Sequence, residues 1–549
     1  MRAPRCRSLS DWCPTGAHDH VSTSSGAQQA PRPPTPAPRT GRAAAFLRTP
    51  AGRAAITGFG GAILIAIGGL GAGSTRQHDP LLESVGLSWL RFGHGLVVSS
   101  ISMWLGVALM LLAWLGLGRH VIAGKVTKES ILVVIPCWLL PLLASVPVFS
   151  RDAYSYLAQG ALLRDGFDPY LVGPVENPNA LLENVSPIWS TTTAPYGPLF
   201  ILIARFVTQI VGDDVVAGTM LLRLCMLPGL ALLVWATPRV AQCLSTNASK
   251  ALWICVLNPL VIIHLMGGVH NEMLMVGLMM AGIALALERH HVWGISVVAL
   301  AVAVKATAGL ALPFLVWIWM RRLVENASAP HRGSPQQGPQ RQRSPLVAFA
   351  MASAASVTIV VAVFAVLSWI AGVGLGWLTA LAGSVKIINW LTVPTAVANI
   401  INVFAGLFVT VNFDAVLEIT RIIGVMVLAL SLPVVWWRHR HNDRDAMFGI
   451  LWAMVIVVLM APAALPWYYT WPLAIAAPLT QSRTAIAAIA GFSTWIMVIF
   501  KPDGSHGMYV WIHVLIAATC AAIAWRMINS APEPRDPEPA EAGTQAAAG

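Results

Sequence analysis

The sequence predicts an all-α polytopic membrane protein built as a bundle of about 14 spanning helices. Three observations carry this. The chain is 56% hydrophobic and only 11% charged, with a mean hydropathy of +0.68, in the range of integral membrane proteins. Apolar runs long enough to cross a hydrocarbon core of roughly 30 Å recur along most of its 549 residues. Basic residues fall largely at the N-terminus and in short loops between those runs, the positive-inside pattern. That pattern accounts for the net charge of +11, and no nucleic-acid partner is expected.

Taken in order, residues 1–53 are rich in Arg, Pro, Ser and Ala and lack the apolar core of a signal peptide. They predict a disordered basic cytoplasmic arm. A first membrane module over 54–320 carries apolar runs at 56–73, 97–117 and 131–149. An acidic loop over 150–198 follows, then runs at 215–236, 251–267, 270–288, 291–304 and 307–320. Residues 321–345, which include Arg321, Arg322 and a stretch rich in Gln, Pro, Ser and Arg, predict a flexible cytoplasmic linker. A second membrane module over 346–529 has runs at 346–371, 415–437, 446–462, 467–480, 483–500 and 508–528. Residues 530–549 are an Ala-, Pro- and Glu-rich tail, predicted to be disordered.

Two further apolar pieces, 199–211 and 393–411, decide the topology. The basic loops at Arg119 to Lys128, at Arg321 to Arg343 and at Arg438 to Arg444 all fall on the cytoplasmic side if these pieces make no net crossing. They are therefore expected to be re-entrant, or compensated by another miscounted short span. That topology puts the loop 150–198, the turn 267–272, Lys305, the loop 372–392 and the segment 465–469 together on the external face.

The loop 150–198 begins SRDAYSYLAQGALLRDGFDPY and holds Asp152, Asp165, Asp168, Glu176 and Glu183 against Arg151 and Arg164. Asp152 stands about three residues beyond an apolar run, where a carboxylate can take a proton from a hydroxyl. It could equally be an interfacial Asp paired with Arg151, or the cap of the next helix. Residues 153–163 predict a short amphipathic helix lying in the interface. Tyr154, Tyr156, Tyr170, Trp189 and Tyr196 are either membrane anchors or platforms for sugar rings. His270, Asn271 and Glu272 interrupt two apolar runs, which is costly unless they are used or solvated. Lys305 breaks VVALAVAVKATAGLALP, either snorkelling to the interface or offering a cation to a phosphate. The cluster PWYYTW at 466–471, with Trp467 and Tyr468, is an aromatic belt or a sugar platform. The seven cysteines show no metal spacing, and Walker, Rossmann, Gly-x-Ser-x-Gly and zinc motifs are absent. An external enzyme without a nucleotide site needs a substrate delivered there, and a lipid-linked donor meets that need. The competing class is a polytopic glycolipid transporter or flippase. The gathering of polar groups at one face rather than mid-membrane disfavours it.

The set SRDAYSYLAQGALLRDGFDPYLVGP, APYGPLF, NPLVIIHLMGGVHNEMLMVGLMMAG and PWYYTW, in that order, resembles the actinobacterial polyprenol-phosphomannose-dependent α-1,6-mannosyltransferases, with the MptB type as the nearest match. The resemblance runs from about Ile56 to Ile528. It implies a GT-C-type glycosyltransferase bundle with an acid in the first large external loop, at a multi-pass plasma-membrane location. It places Asp152 at that acid and leaves Asp168 as a second catalytic candidate. Arg151, Tyr154, Tyr156, Tyr170, Tyr196, His270, Asn271, Glu272, Lys305, Trp467 and Tyr468 are the expected substrate-binding residues. Ala153 and Tyr154 follow Asp152, so the Asp-x-Asp pair of some relatives is absent. A divalent cation is admitted but no cofactor is assigned. The implied donor is a polyprenyl monophosphomannose and the acceptor an α-1,6-mannan glycolipid of lipomannan and lipoarabinomannan core synthesis, both met in the membrane. Transfer would invert the anomeric carbon.

Overall fold

Polar caps decide where the apolar runs become helices. In the computed structural model, which describes residues 39–328, 344–381 and 386–532, Thr49, Thr127, Asp214, Asn247, Asn412 and Asn442 each accept a backbone N–H from the first turn that follows. Such caps satisfy donors that a helix start leaves orphaned. The helices used below are α1 (Arg39–Arg48), α2 (Pro50–Ala72), α3 (Gly93–Ile122), α4 (Lys128–Leu143), α5 (Asp152–Arg164), α6 (Pro198–Val211), α7 (Val215–Cys243), α8 (Ala248–Cys255), α9 (Glu272–Leu287), α10 (His291–Val304), α11 (Leu312–Ser328), α12 (Pro345–Ala371), α13 (Val393–Ala405), α14 (Phe413–Arg438), α15 (Asp443–Met460), α16 (Thr470–Leu479), α17 (Arg483–Ile499) and α18 (Trp511–Asn529). Among the described residues the only strand-like contact is an isolated antiparallel bridge between Phe500 and His506.

The chain is thus an all-helical polytopic membrane protein, and every predicted apolar run is largely helical. Fewer runs than predicted are long single spans. Among the described residues seven helices are long and apolar enough to cross a membrane, or eight if the pair Ala248–Cys255 and Leu260–Gly267, bent by 47°, is one span. Five more are apolar but only 10–17 residues long. Hydropathy reads composition and misses breaks. Leu260–Gly267 is a π-helix following Pro259, and Lys305 is extended between α10 and the next helical turn.

The disordered boundaries also move. Arg39–Arg48 and Pro50–Ala72 are helical, so helix begins inside the predicted arm. Likewise α11 continues to Ser328, inside the predicted linker. The remainder of the arm (1–38), of the linker (329–343) and of the tail (533–549) lies outside the described residues, as do 382–385 of the loop 372–392. The two pieces with unsettled crossings are α6 and α13, of 14 and 13 residues, each about 20 Å long and shorter than a bilayer core.

Two features organise the bundle. Helix pairs meet at small residues. At the crossing of α7 and α9, a Cβ on Gly277 would come within 2.0 Å of the Gly229 carbonyl oxygen; such contacts let backbones approach closely where no hydrophobic effect drives helices together. The second feature is an outward apolar surface. The apolar windows of α12, α14 and α18 are each only 17% buried in the protein, against 50% for α2. Side chains such as Val361, Leu430 and Ile516 stand exposed, as expected of a surface that lipid covers. The ends of α11 and α15 differ in chemistry. Arg321 and Arg322 of α11 both pair with Asp443 of α15 at one end. Lys305 and Trp467 flank the same two helices at the opposite end.

Candidate active site

Asp152 sits in the first turn of α5, with its backbone N–H donating to Ser150 Oγ at 3.1 Å. The chain enters α5 through Phe149 at φ 64°, a left-handed conformation rare for a bulky residue. Two hydrogen bonds hold that entry: Phe149 N–H to the Pro502 carbonyl at 2.7 Å, and Val148 N–H to the Gly267 carbonyl at 3.3 Å. Val269, in the turn that carries His270, is left-handed as well, at φ 60°. Strained residues of this kind persist where surrounding structure holds them, commonly at functional sites.

Behind both turns lies Arg223 of α7, fully buried. Its guanidinium donates to the carbonyls of Leu143, Met266 and Gly267 and to Ser145 Oγ, at 2.8 to 3.4 Å. The end of α4 and the end of the π-helix both expose carbonyls that no intrahelical donor reaches. One arginine, with five N–H groups in a fixed fork, satisfies both and ties the Asp152 loop to the His270 turn.

The turn brings three polar side chains to the start of α9. His270 Nδ1 lies 3.7 Å from Asp152 Oδ2 and 4.0 Å from Glu272 Oε2. Its ring stacks on Trp467, centroids 3.7 Å apart. Glu272 forms an ion pair with Lys305, whose Nζ stands 4.2, 5.4 and 5.8 Å from the ring centres of Tyr468, Trp471 and Tyr196. Burying either charge alone would cost several kcal/mol; pairing and the negative faces of three rings offset that. Tyr156 packs edge-on against Tyr196 and Phe200, at 5.2 and 4.9 Å. His270 (both ring nitrogens), the Asn271 amide and Glu272 Oε2 are buried without a hydrogen-bond partner among the described residues, which is rare in native proteins.

Asp152 opens on a cavity of about 390 Å³ whose walls include Trp467, Trp189, Asn389, Asp503, Ser505 and His506. Burial, and next the negative charge of Glu272, push its pKa up to about 7, although Lys305 opposes them. A carboxyl so tuned exchanges protons near neutral pH. Among the described residues no group of three or more His, Cys, Asp or Glu is arranged to hold a metal ion.

The tertiary structure therefore gathers Asp152, Tyr156, Tyr196, His270, Asn271, Glu272, Lys305, Trp467 and Tyr468. Others stand apart in scaffolding roles. Arg151 spends its guanidinium on the carbonyls of Asn184 and Thr75. Tyr154 donates its hydroxyl to the Ser74 carbonyl. Asp168 accepts the Tyr170 backbone N–H within its own turn, and the Tyr170 hydroxyl donates to the Tyr196 carbonyl. The predicted interfacial helix is corrected: in α5 every residue from Asp152 to Leu162 is buried inside the protein, because α6 and α7 cover it. The neighbouring α6 does carry an exposed apolar face, where Phe206 and Ile210 are more than half exposed. Sequence reading missed Arg223, Ser150 and the 502–506 segment. An arginine inside the apolar run 215–236 was the one available signal.

Fold and site together define a helical membrane protein with a buried acid group at one end of the bundle. Residues 55–321 match the family model described as alpha-(1->6)-mannopyranosyltransferase, N-terminal domain, and residues 394–530 match the MptB C-terminal domain. Alpha-(1->6)-mannopyranosyltransferase A of Mycobacterium tuberculosis is 66% identical over 491 residues, 89% of this chain and 92% of that protein. The transferase A of Corynebacterium glutamicum is 36% identical over 492 residues, covering 88% and 98%, and the transferase B of the same organism is 28% identical over 473 residues, covering 81% and 76%. No solved structure matches the chain. The chain belongs to the α-(1→6)-mannopyranosyltransferase family and is a mannosyltransferase, which decides against the transporter reading. Both type names occur among the matches: the relatives named A are 66% and 36% identical, and the C-terminal match is to the MptB C-terminal domain.

Proposed function

We propose that this chain transfers mannose from a polyprenyl monophosphomannose to an α-1,6-mannan glycolipid at the external face of the plasma membrane, with inversion and with Asp152 as general base. One observation carries this: Asp152 is the acid that lies both beside the buried His270–Glu272–Lys305 group and on the wall of the cavity. In the reaction, the acceptor O6–H proton passes to the Asp152 carboxylate as O6 bonds to the anomeric carbon. The bond from that carbon to the phosphate oxygen breaks, and polyprenyl phosphate departs. Lys305 and His270 face the departing charge; Arg151 is committed to backbone carbonyls and plays no part in it. The unpartnered amide of Asn271 and ring nitrogens of His270 are groups that sugar hydroxyls or phosphate oxygens would satisfy. Basic Arg321, Arg322, Arg438 and Arg440 at the opposite end of the bundle support the external placement.

The test is Asp152→Asn, which keeps the shape and removes the base. Membranes bearing the variant should incorporate less than about 1% of wild-type label from polyprenyl phosphomannose into a short α-1,6-mannoside, at equal protein level. Wild-type-like transfer by that variant excludes Asp152 as the base.

A further inference from the structure

The cavity has a wall that the reaction as drawn leaves unused. Residues 500–507, between α17 and α18, form a tight reversal. The Phe500–His506 bridge closes it, with Lys501 N–H on the Ser505 carbonyl at 2.8 Å and Gly507 N–H on the Ile499 carbonyl at 2.8 Å. Gly504 makes the turn at φ 94°, where only glycine is unstrained, and a Cβ there would already touch Ser150 Cα at 3.4 Å. The reversal is pinned to the Asp152 loop by the bond from Phe149 to Pro502. It is a polar structure held rigidly two to three residues from the proposed base, in a protein whose apolar surface dominates.

Its side chains suit a sugar. Asp503, Ser505 and His506 line the same cavity as Asp152. Asp503 Oδ1 accepts from both the backbone N–H and the hydroxyl of Ser505, at 2.9 and 2.7 Å, which fixes the carboxylate while Oδ2 makes no hydrogen bond among the described residues. His506 Nδ1 is buried without a partner. Trp189 and Trp467 add aromatic surface to the same cavity. A fixed carboxylate accepts from neighbouring ring hydroxyls, and an indole face packs on the C–H face of a pyranose. At about 390 Å³ the space is at the lower end for small-molecule sites, suited to the end of a glycan rather than its length.

We propose that the 502–506 reversal, with Trp189, is the subsite for the terminal mannosyl ring of the acceptor, Asp503 being its specificity-determining hydroxyl ligand. This rests on the transferase reading above, in which O6 of that ring must reach Asp152. Glu272 and Lys305 are not among the residues that line this cavity, so the proposed acceptor contacts are different residues from those facing the departing phosphate.

The experiment is steady-state transfer in membranes, with acceptor mannoside and polyprenyl phosphomannose varied independently. Asp503→Ala and Trp189→Ala should each raise the acceptor KM about tenfold or more, with the donor KM within about twofold of wild type. Asp503→Asn keeps the contact to Ser505, so it guards against a misformed turn and should fall between wild type and Asp503→Ala. Unchanged acceptor KM in both Asp503 variants, or an equal rise in donor KM, overturns the subsite while leaving the transferase reading intact. Wild-type protein that makes no product from these two substrates overturns the transferase reading and the subsite with it.

Discussion

Replacing Glu272 by Gln should move the acidic limb of the pH–rate profile downward. If Asp152 is the base, kcat/KM rises with pH as its carboxyl deprotonates, with a midpoint near its pKa of about 7. Glu272 is the second cause of that high value, after burial. The two carboxylates lie 3.7 and 4.0 Å from the same nitrogen of His270, which bounds their separation at about 7.7 Å. At an effective dielectric of ~20, unit charges at that distance repel by about 2 kcal/mol, equivalent to ~1.5 pH units. Gln at 272 removes the repulsion and frees Lys305, whose charge also favours the carboxylate, so both changes act in one direction. The acidic midpoint should fall from about 7 to between ~5 and ~6. The assay is mannosyl transfer in membranes across pH 4.5 to 8.5, with variant protein quantified because an unpaired Lys305 also weakens the fold. A limb that stays near 7, or rises, refutes the coupling.

Other consequences are simpler to state. Arg223→Met leaves the Leu143 and Met266 carbonyls without a side-chain donor and takes one from the Gly267 carbonyl, which keeps the Val148 N–H, and the solubilised protein should lose roughly 3 kcal/mol of stability or more, read as a lowered unfolding midpoint in detergent, with Arg223→Lys less affected. Gly277→Val forces a side chain against the Gly229 carbonyl, so α7 and α9 must separate; a loss of about 1–3 kcal/mol and a smaller yield of folded protein are expected, and a Val variant as stable as wild type would mean that the crossing is loose.

Much of the site was legible because membrane sequences make polar residues conspicuous. His270, Asn271, Glu272 and Lys305 stand out in apolar runs, since burying them demands a partner or a purpose. Their grouping at one end followed from the distribution of basic loops. Arg151, Tyr154, Asp168 and Tyr170 were equally visible in the acidic loop, yet the structure uses their polar atoms to hold that loop. A loop residue's chemistry does not tell whether it faces a cavity or a neighbouring carbonyl.

The sequence alone determined that this is a helical membrane protein and where most of its apolar helices run, and it made Asp152 a candidate acid, because hydropathy and isolated polar residues are local quantities. Only the tertiary structure decided what each polar group faces. It turned the predicted interfacial helix into the buried α5, joined Asp152 to His270 through the grip of Arg223, and brought the 502–506 reversal to Ser150 from some 350 residues away in sequence. Those are contacts between segments far apart along the chain, set by packing and by the need to satisfy buried carbonyls, and no local window of sequence contains them.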